Sequence, residues 1–376
     1  MRLSDLPTPC LVLDRRILAR NLATMAQAVG RHGVRLRPHM KTAKSIDVAR
    51  MALSLNGPEG EAGTGGITVS TLAEAEYFAG HGLTDMIYAV GITPQKLDQA
   101  AKLNASGAGL MIITDDADVA AAITAHPSAS RTLIEIDTGE HRGGLAPDDN
   151  ALLDIAGRLG ANLAGVITHA GHSYTARTAR DLLRIAEDER LGAVLAANRL
   201  REAGFNVPIV SVGSSPTALA APSLEGVTEV RAGVYMFGDL FQAEIGTHSR
   251  SDIAVSVLTS VIGHRPHQRS LLVDAGAIAL SKDRSTQATA NDQGFGLVVD
   301  MQGRPSFGRT IVRTAYQEHG VVELDPQMPL FMPPIGSKFR ILPNHTCLTA
   351  AAHDRYFVID DDSDTITAIW PRNNGW

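Results

Sequence analysis

Cysteine is nearly absent from this 376-residue chain: Cys10 and Cys347 are the two it has. Two cannot form a disulfide framework, so a reducing compartment is expected. Positive charge is not in excess either, since 34 Lys+Arg against 40 Asp+Glu leave a formal charge of −6. That balance argues against a general nucleic-acid or anionic-membrane binder, both of which usually show a basic surface. No apolar run approaches the roughly 18 residues of a membrane-spanning helix. The first residues lack a basic stretch followed by an apolar one, so a secretory signal is not expected and the protein is read as cytoplasmic. Low-complexity tracts and internal repeats are missing as well. What remains, 44% hydrophobic and 20% charged residues, fits a folded chain of one large domain or two ordinary ones.

Over about 240 residues short β-type runs alternate with Ala/Leu/Arg/Glu-rich segments of helical spacing. The runs fall near 34–36, 66–69, 86–89, 110–113, 132–136, 163–168, 209–212 and 228–230. Seven or eight such repeats suit a parallel (β/α)8 barrel better than a doubly wound sheet. After residue 248 the texture changes to short β-type runs divided by Gly, Pro, Asp and His. An antiparallel β domain is expected there, giving a barrel over 1–248, whose first strand could join the second domain, and a β domain over 249–376.

Chemistry-bearing residues gather where barrel strands should end. Arg37-Pro38-His39-Met40-Lys41-Thr42 follows the strand at 34–36, which Pro38 is expected to end at Arg37. A lysine at that mouth can form a Schiff base with an aldehyde cofactor; taken alone, a basic surface loop fits as well. Asp137-Thr138-Gly139-Glu140-His141-Arg142-Gly143 offers an arginine fork suited to a phenolate or carboxylate, or a plain turn. His169-Ala170-Gly171-His172-Ser173-Tyr174 collects two imidazoles, a hydroxyl and a phenol. Gly213-Ser214-Ser215-Pro216-Thr217 and Arg231-Ala232-Gly233-Val234-Tyr235 are glycine-containing turns at late strands, where barrels cradle phosphate.

In the second part, Pro343-Asn344-His345-Thr346-Cys347 follows an apolar run. On an extended backbone, residues i and i+2 point to one face, so His345 and Cys347 could share a metal there. A thiolate with an imidazole favours Zn2+ over Mg2+ or Mn2+, and two ligands leave positions open. A bare H-x-C more often marks a buried cysteine beside a strand-end histidine.

Taken in order, RPHxKT, DTGxxRxG, the strand-end His169, GSxPT, RAGxYxF and PNHxC resemble fold-type III pyridoxal-phosphate enzymes. The subgroup is that of D-serine dehydratase, D-threonine aldolase and D-threo-3-hydroxyaspartate dehydratase. Gly66-Ile67-Thr68-Val69-Ser70-Thr71 with Glu74, Ala75 and Glu76, and Gln317-Glu318-His319-Gly320, share the likeness. The resemblance implies that Lys41 carries pyridoxal 5'-phosphate, with Arg142 at its phenolic oxygen and His169 stacked on its ring. It implies a phosphate cup of Gly213, Ser214, Ser215 and Thr217 with the Gly233 and Val234 backbone. Arg231 falls opposite the pyridine nitrogen, Tyr174 joins the cofactor residues, and His345 and Cys347 are the metal ligands. A homodimer is implied too. Two departures stand out: Ala43 occupies the place where KTHK is common, and Cys347 stands where aldolases of the group show aspartate.

The resemblance further implies a lyase acting on a small D-3-hydroxy amino acid, with Zn2+ (or Mn2+ or Mg2+) assisting loss of the β-hydroxyl. Retro-aldol cleavage with His172 as the base is the alternative. A non-catalytic carrier of the cofactor is a third reading, but carriers of that kind resemble the barrel alone.

Overall fold

The computed structural model describes residues 1–55, 65–360 and 364–376. Leu110–Thr114 and Leu163–Thr168 are buried along their whole length, as strands apolar on both faces must be. They belong to a parallel eight-stranded sheet. After β1 (Cys10–Asp14), its members are β2 (Arg35–Pro38), β3 (Ile67–Val69), β4 (Met86–Gly91), β5 (Leu110–Thr114), β6 (Thr132–Ile136), β7 (Leu163–Thr168), β8 (Ile209–Val212) and β9 (Glu229–Ala232). The order β2-β9-β8-β7-β6-β5-β4-β3 is brought round by a parallel bridge between His39 and Thr68. The Met40 N–H also donates to the Thr68 carbonyl, at 2.7 Å. This is the barrel expected from the alternation, with Ile87, Met111, Ile113, Leu133, Ala164 and Ile167 packed as one apolar cluster.

Polar side chains also run through the barrel. Arg37, fully buried, puts Nε 2.9 Å from both oxygens of Glu229 and Nη1 2.8 Å from Asp85. Ser211 donates to Glu229 at 2.7 Å, and Arg231 donates to Ser211 at 2.7 Å and to the Thr168 carbonyl. Every charge in this row meets an opposite charge or a hydrogen-bond partner, the condition for burying it. Burial pulls the Arg231 guanidinium down to about 10 despite Glu229, Glu189 and Glu135.

Local rules set the boundaries on either side of this segment. Pairing continues past Arg37 to Pro38 and His39, whose N–H donates to the Ala232 carbonyl, because proline removes one donor without preventing extension. The next helix starts at Ile46, beyond Lys44, which takes a left-handed φ of 47°.

The second sheet contains β1 with β10 (Val255–Arg265), β11 (Ser270–Val273), β12 (Gly296–Val299), β13 (Ile311–Ala315), β14 (Gly320–Glu323), β15 (Lys338–Pro343), β16 (Arg355–Ile359) and β17 (Ala368–Pro371). Strands β10, β11, β14, β13, β12 and β15 pair antiparallel around a complete ring. β1 extends this sheet, antiparallel to β10 and parallel to β16. Contacts divide the chain into one unit of Met1–Leu22 with Val234–Asn374, and another of Ala23–Gly233 with the last two residues. Among the described residues no helix is long and apolar enough to cross a membrane.

Candidate active site

Lys41 sits one residue beyond the Met40–Thr68 link, with its side chain exposed. Its neighbour in the motif, Lys44, is committed elsewhere. The Lys44 Nζ lies 3.0 Å from Glu74 Oε1, and the fully buried Glu74 also accepts the Ser70 N–H at 3.0 Å and hydroxyl at 2.7 Å. Glu74 is itself fixed by the helix start at Thr71, whose hydroxyl accepts the Glu74 N–H. The first of the two lysines is thereby presented and the second pinned.

His169, at the end of β7, puts Nδ1 2.8 Å from the Gly213 carbonyl. A carbonyl only accepts, so Nδ1 carries the proton. Burial, reinforced by the charges of Lys41, Arg142 and Arg231, pushes this imidazole down to about 3, so it is neutral at ordinary pH. His39 is likewise held well below its usual range, first by burial and then by Lys41, Arg231 and His169. Lys41, Arg142, His169 and Arg231, separate in the sequence, therefore share one electrostatic neighbourhood. Arg142 is exposed and 3.8 Å from Glu135, whose carboxyl is raised chiefly by burial. Arg231 lies beneath, bonded to Ser211 and Thr168.

The turn after β8 is built from bare backbone and hydroxyls. Gly213 has φ 137°, and a Cβ there would fall 2.2 Å from the Arg231 carbonyl oxygen. A Cβ on Gly233 would meet the His39 carbonyl oxygen at 2.9 Å. Ser214 contacts Ser173 at 2.8 Å and Thr217 at 2.9 Å, and the buried Ser215 opens the helix Ser215–Ala220. Small side chains, hydroxyls and a neutral aromatic ring fit a phosphorylated pyridine aldehyde reaching Lys41. His172 stands 3.8 Å from Glu140, and its buried Nδ1 makes no hydrogen bond. Tyr174 follows it, half-buried, in the turn Gly171–Thr175. Val234 belongs to the other compact unit.

In that unit His345 and Cys347 do meet, though not as neighbours on one face of a strand. β15 ends at Pro343, and Thr346–Ala351 is helical, so the pair sits on a helix start. The helix begins here because the buried Asp239 accepts the Thr346 N–H at 3.0 Å, while the Thr346 hydroxyl donates to the Gly238 carbonyl. Burial alone would lower His345, but hydrogen bonds with Asp283 and Cys347, and the charge of Asp239, push it up to about 11. Cys10, by contrast, is buried and driven up to about 12 by that burial, leaving it inert. Among the described residues no group of three or more His, Cys, Asp and Glu side chains is arranged to hold a metal ion. The imidazole–sulfur pair remains, a donor set suited to a borderline metal with open positions.

The alanine racemase N-terminal domain model matches residues 13–240, and a serine dehydratase domain model matches 254–359. D-threo-3-hydroxyaspartate dehydratase of Delftia sp. (strain HT23) is 45% identical, with 100% of this chain and 99% of that protein aligned. The chain belongs to this dehydratase family. D-serine dehydratase of Dictyostelium discoideum is 31% identical over 100% of this chain and 98% of its own length. D-threonine aldolase of Arthrobacter sp. is 28% identical over 98% and 92%. The crystal structure of the Delftia dehydratase superposes with a TM-score of 0.93 at 44% identity, each chain covered in full.

Three residues beside the candidate groups carry no role in the sequence reading. His39 was in view, inside the lysine motif, but carried no role. Glu189 accepts the Ala170 N–H at 3.0 Å and the Gly213 N–H at 2.8 Å, tying the His169 turn to the Ser214 turn. It had a signal: it falls on the buried face of the helix Ala179–Glu202, among Ile185, Ala186, Ala193 and Ala196. Asp283 had none, standing 62 positions from the histidine it contacts.

Proposed function

We propose that the protein is a pyridoxal-phosphate- and divalent-metal-dependent lyase that dehydrates a small D-3-hydroxy amino acid of the 3-hydroxyaspartate or serine type. The observation that carries this reading is the His345–Cys347 pair, in a chain 45% identical throughout to a dehydratase. Sulfur in place of an aldolase-like carboxylate favours Zn2+. A cysteine-to-alanine variant of a D-threo-3-hydroxyaspartate dehydratase 44% identical to this chain has a structure in a metal-free form, which is in keeping with a cysteine at a metal site.

Lys41 would hold the cofactor and, when freed by the substrate amine, would take the Cα proton. Pyridoxal phosphate, when bound, supplies the sink for the electron pair left at Cα. His169, neutral and fixed through Gly213, offers a ring face without adding charge. Arg142 would donate to the cofactor's phenolic oxygen, and the Ser214 and Thr217 hydroxyls with the Gly213 turn would hold its phosphate. His345 and Cys347 would hold the metal, whose chemistry is Lewis acidity toward the departing β-hydroxyl. The Cα–H and Cβ–O bonds break, water leaves, and the product hydrolyses to a 2-oxo acid and ammonia.

A second reading, cleavage of Cα–Cβ, is favoured by one feature. The unpartnered His172 Nδ1 beside Glu140 could accept a β-hydroxyl proton, giving glycine and an aldehyde. Incubation with pyridoxal phosphate, Zn2+ and D-threo-3-hydroxyaspartate, D-serine or D-phenylserine separates the two by their products. A reducing cytoplasm suits the proposal, because oxidation of Cys347 would remove the sulfur donor. The homodimer belongs to it also, with light scattering as its check.

A further inference from the structure

Around His345 the loop that bears Asp283 is fastened on both sides to the segment that bears the histidine. The buried Asn344 accepts the Thr286 N–H at 3.1 Å and donates to the Thr286 hydroxyl at 2.7 Å and the Gly294 carbonyl at 2.6 Å. The buried Thr349 hydroxyl donates to the Leu280 carbonyl at 2.9 Å. Between these anchors Ser281 takes a left-handed φ of 67° and its hydroxyl accepts the Asp283 N–H at 3.1 Å. The Ser285 hydroxyl lies 3.0 Å from each oxygen of Asp283, and Oδ2 of that carboxylate meets His345 Nδ1. A side chain serving only as a counter-ion needs none of this fixation; one that aims an imidazole does.

We propose that Asp283 is the positioning residue of the metal site: by accepting the Nδ1 proton of His345 it fixes the ring's tautomer and orientation and leaves Nε2 as the donor to a divalent cation. The inference rests on the reading that His345 and Cys347 hold the metal. The ionised carboxylate has no proton to give, so the proton between the two groups resides on Nδ1. The two nitrogens of the ring point in divergent directions, so a carboxylate on one leaves the other clear for the ion. A carboxylate on the far nitrogen also raises imidazole basicity, and losing such a partner typically weakens metal affinity 10–100-fold.

The test is Zn2+ affinity of the cofactor-loaded protein, measured by competition with a chromophoric chelator. Asp283→Ala should bind Zn2+ about 10–100-fold more weakly. Asp283→Asn, whose amide oxygen still accepts from Nδ1, should recover most of that loss, and both should keep the cofactor's visible absorption. Should Asp283→Ala not fold, Asp283→Ser, too short to reach the ring, takes its place. Unchanged affinity in the Ala or Ser variant overturns the proposal, and so does an equal loss in Asn and Ala. Failure of the underlying reading looks different: wild type, His345→Ala and Cys347→Ala would then all take up Zn2+ equally or not at all.

Discussion

Lys41 and Lys44 stand three positions apart and do different work, and chemistry at the scale of single residues turns on such divisions. Lys44 is neutralised by the buried Glu74, whereas Lys41 is exposed beside two imidazoles kept uncharged. The two cysteines divide in the same way: Cys10 is buried, and Cys347 is half-buried and bonded to His345. Cys347→Ala should therefore retain the cofactor's absorption while lowering kcat by about 10²–10³-fold, the worth of several kcal/mol of Lewis-acid stabilisation. Cys347→Asp should regain part of that rate with Mn2+, a harder ion that accepts an oxygen donor. Steady-state kinetics on chelator-stripped, metal-reloaded variants would show both effects; a Cys347→Ala enzyme with wild-type kcat would contradict the assignment. These residues were legible because each lies in a short motif at a strand end. Asp283 was not, since the contact that defines it is made only by folding.

At the scale of elements, the barrel strands end in turns whose shapes leave little freedom. Gly213 is held at φ 137° with the Arg231 carbonyl oxygen where a Cβ would stand. Gly213→Ala should weaken binding of pyridoxal phosphate more than binding of its phosphate-free analogue, as read by titrating the visible absorption. Equal effects on both would place the damage outside the phosphate cup. Alternation of apolar runs and helical segments was enough to expect the barrel, because fully buried parallel strands cannot hide their pattern. The start of the helix after Cys347's histidine was misjudged for a physical reason. The capping group that starts it, Asp239, lies more than a hundred positions earlier, at a separation of 107. A local reading of PNHxC sees only an apolar strand running on.

For the whole molecule, stability and chemistry meet in the polar row inside the barrel. Burial would raise the Glu229 carboxyl, but Arg37, Ser211 and Arg35 outweigh it and hold it below its ordinary range. A carboxyl depressed on folding lends stability above its unfolded pKa, which is lost as pH falls through the folded value. Glu229→Gln should thus cost about 3–5 kcal/mol at pH 7, because it leaves Arg37 buried and underpaired. The gap from wild type should narrow below about pH 4, as urea unfolding at the two pH values would show. A gap independent of pH would mean that Glu229 is not ionised in the folded state.

In the proposed reaction an amine at the end of β2 and a metal held by a sulfur–imidazole pair serve one elimination. The most direct measurement is the product made from D-threo-3-hydroxyaspartate by the wild type, Lys41→Ala and Cys347→Ala, each supplied with pyridoxal phosphate and Zn2+. The expected result is ammonia and the 2-oxo acid in equal amounts from the wild type, neither above background from Lys41→Ala, and both formed about 10²–10³-fold more slowly by Cys347→Ala. Glycine and an aldehyde from the wild type, or undiminished ammonia from either variant, would contradict it.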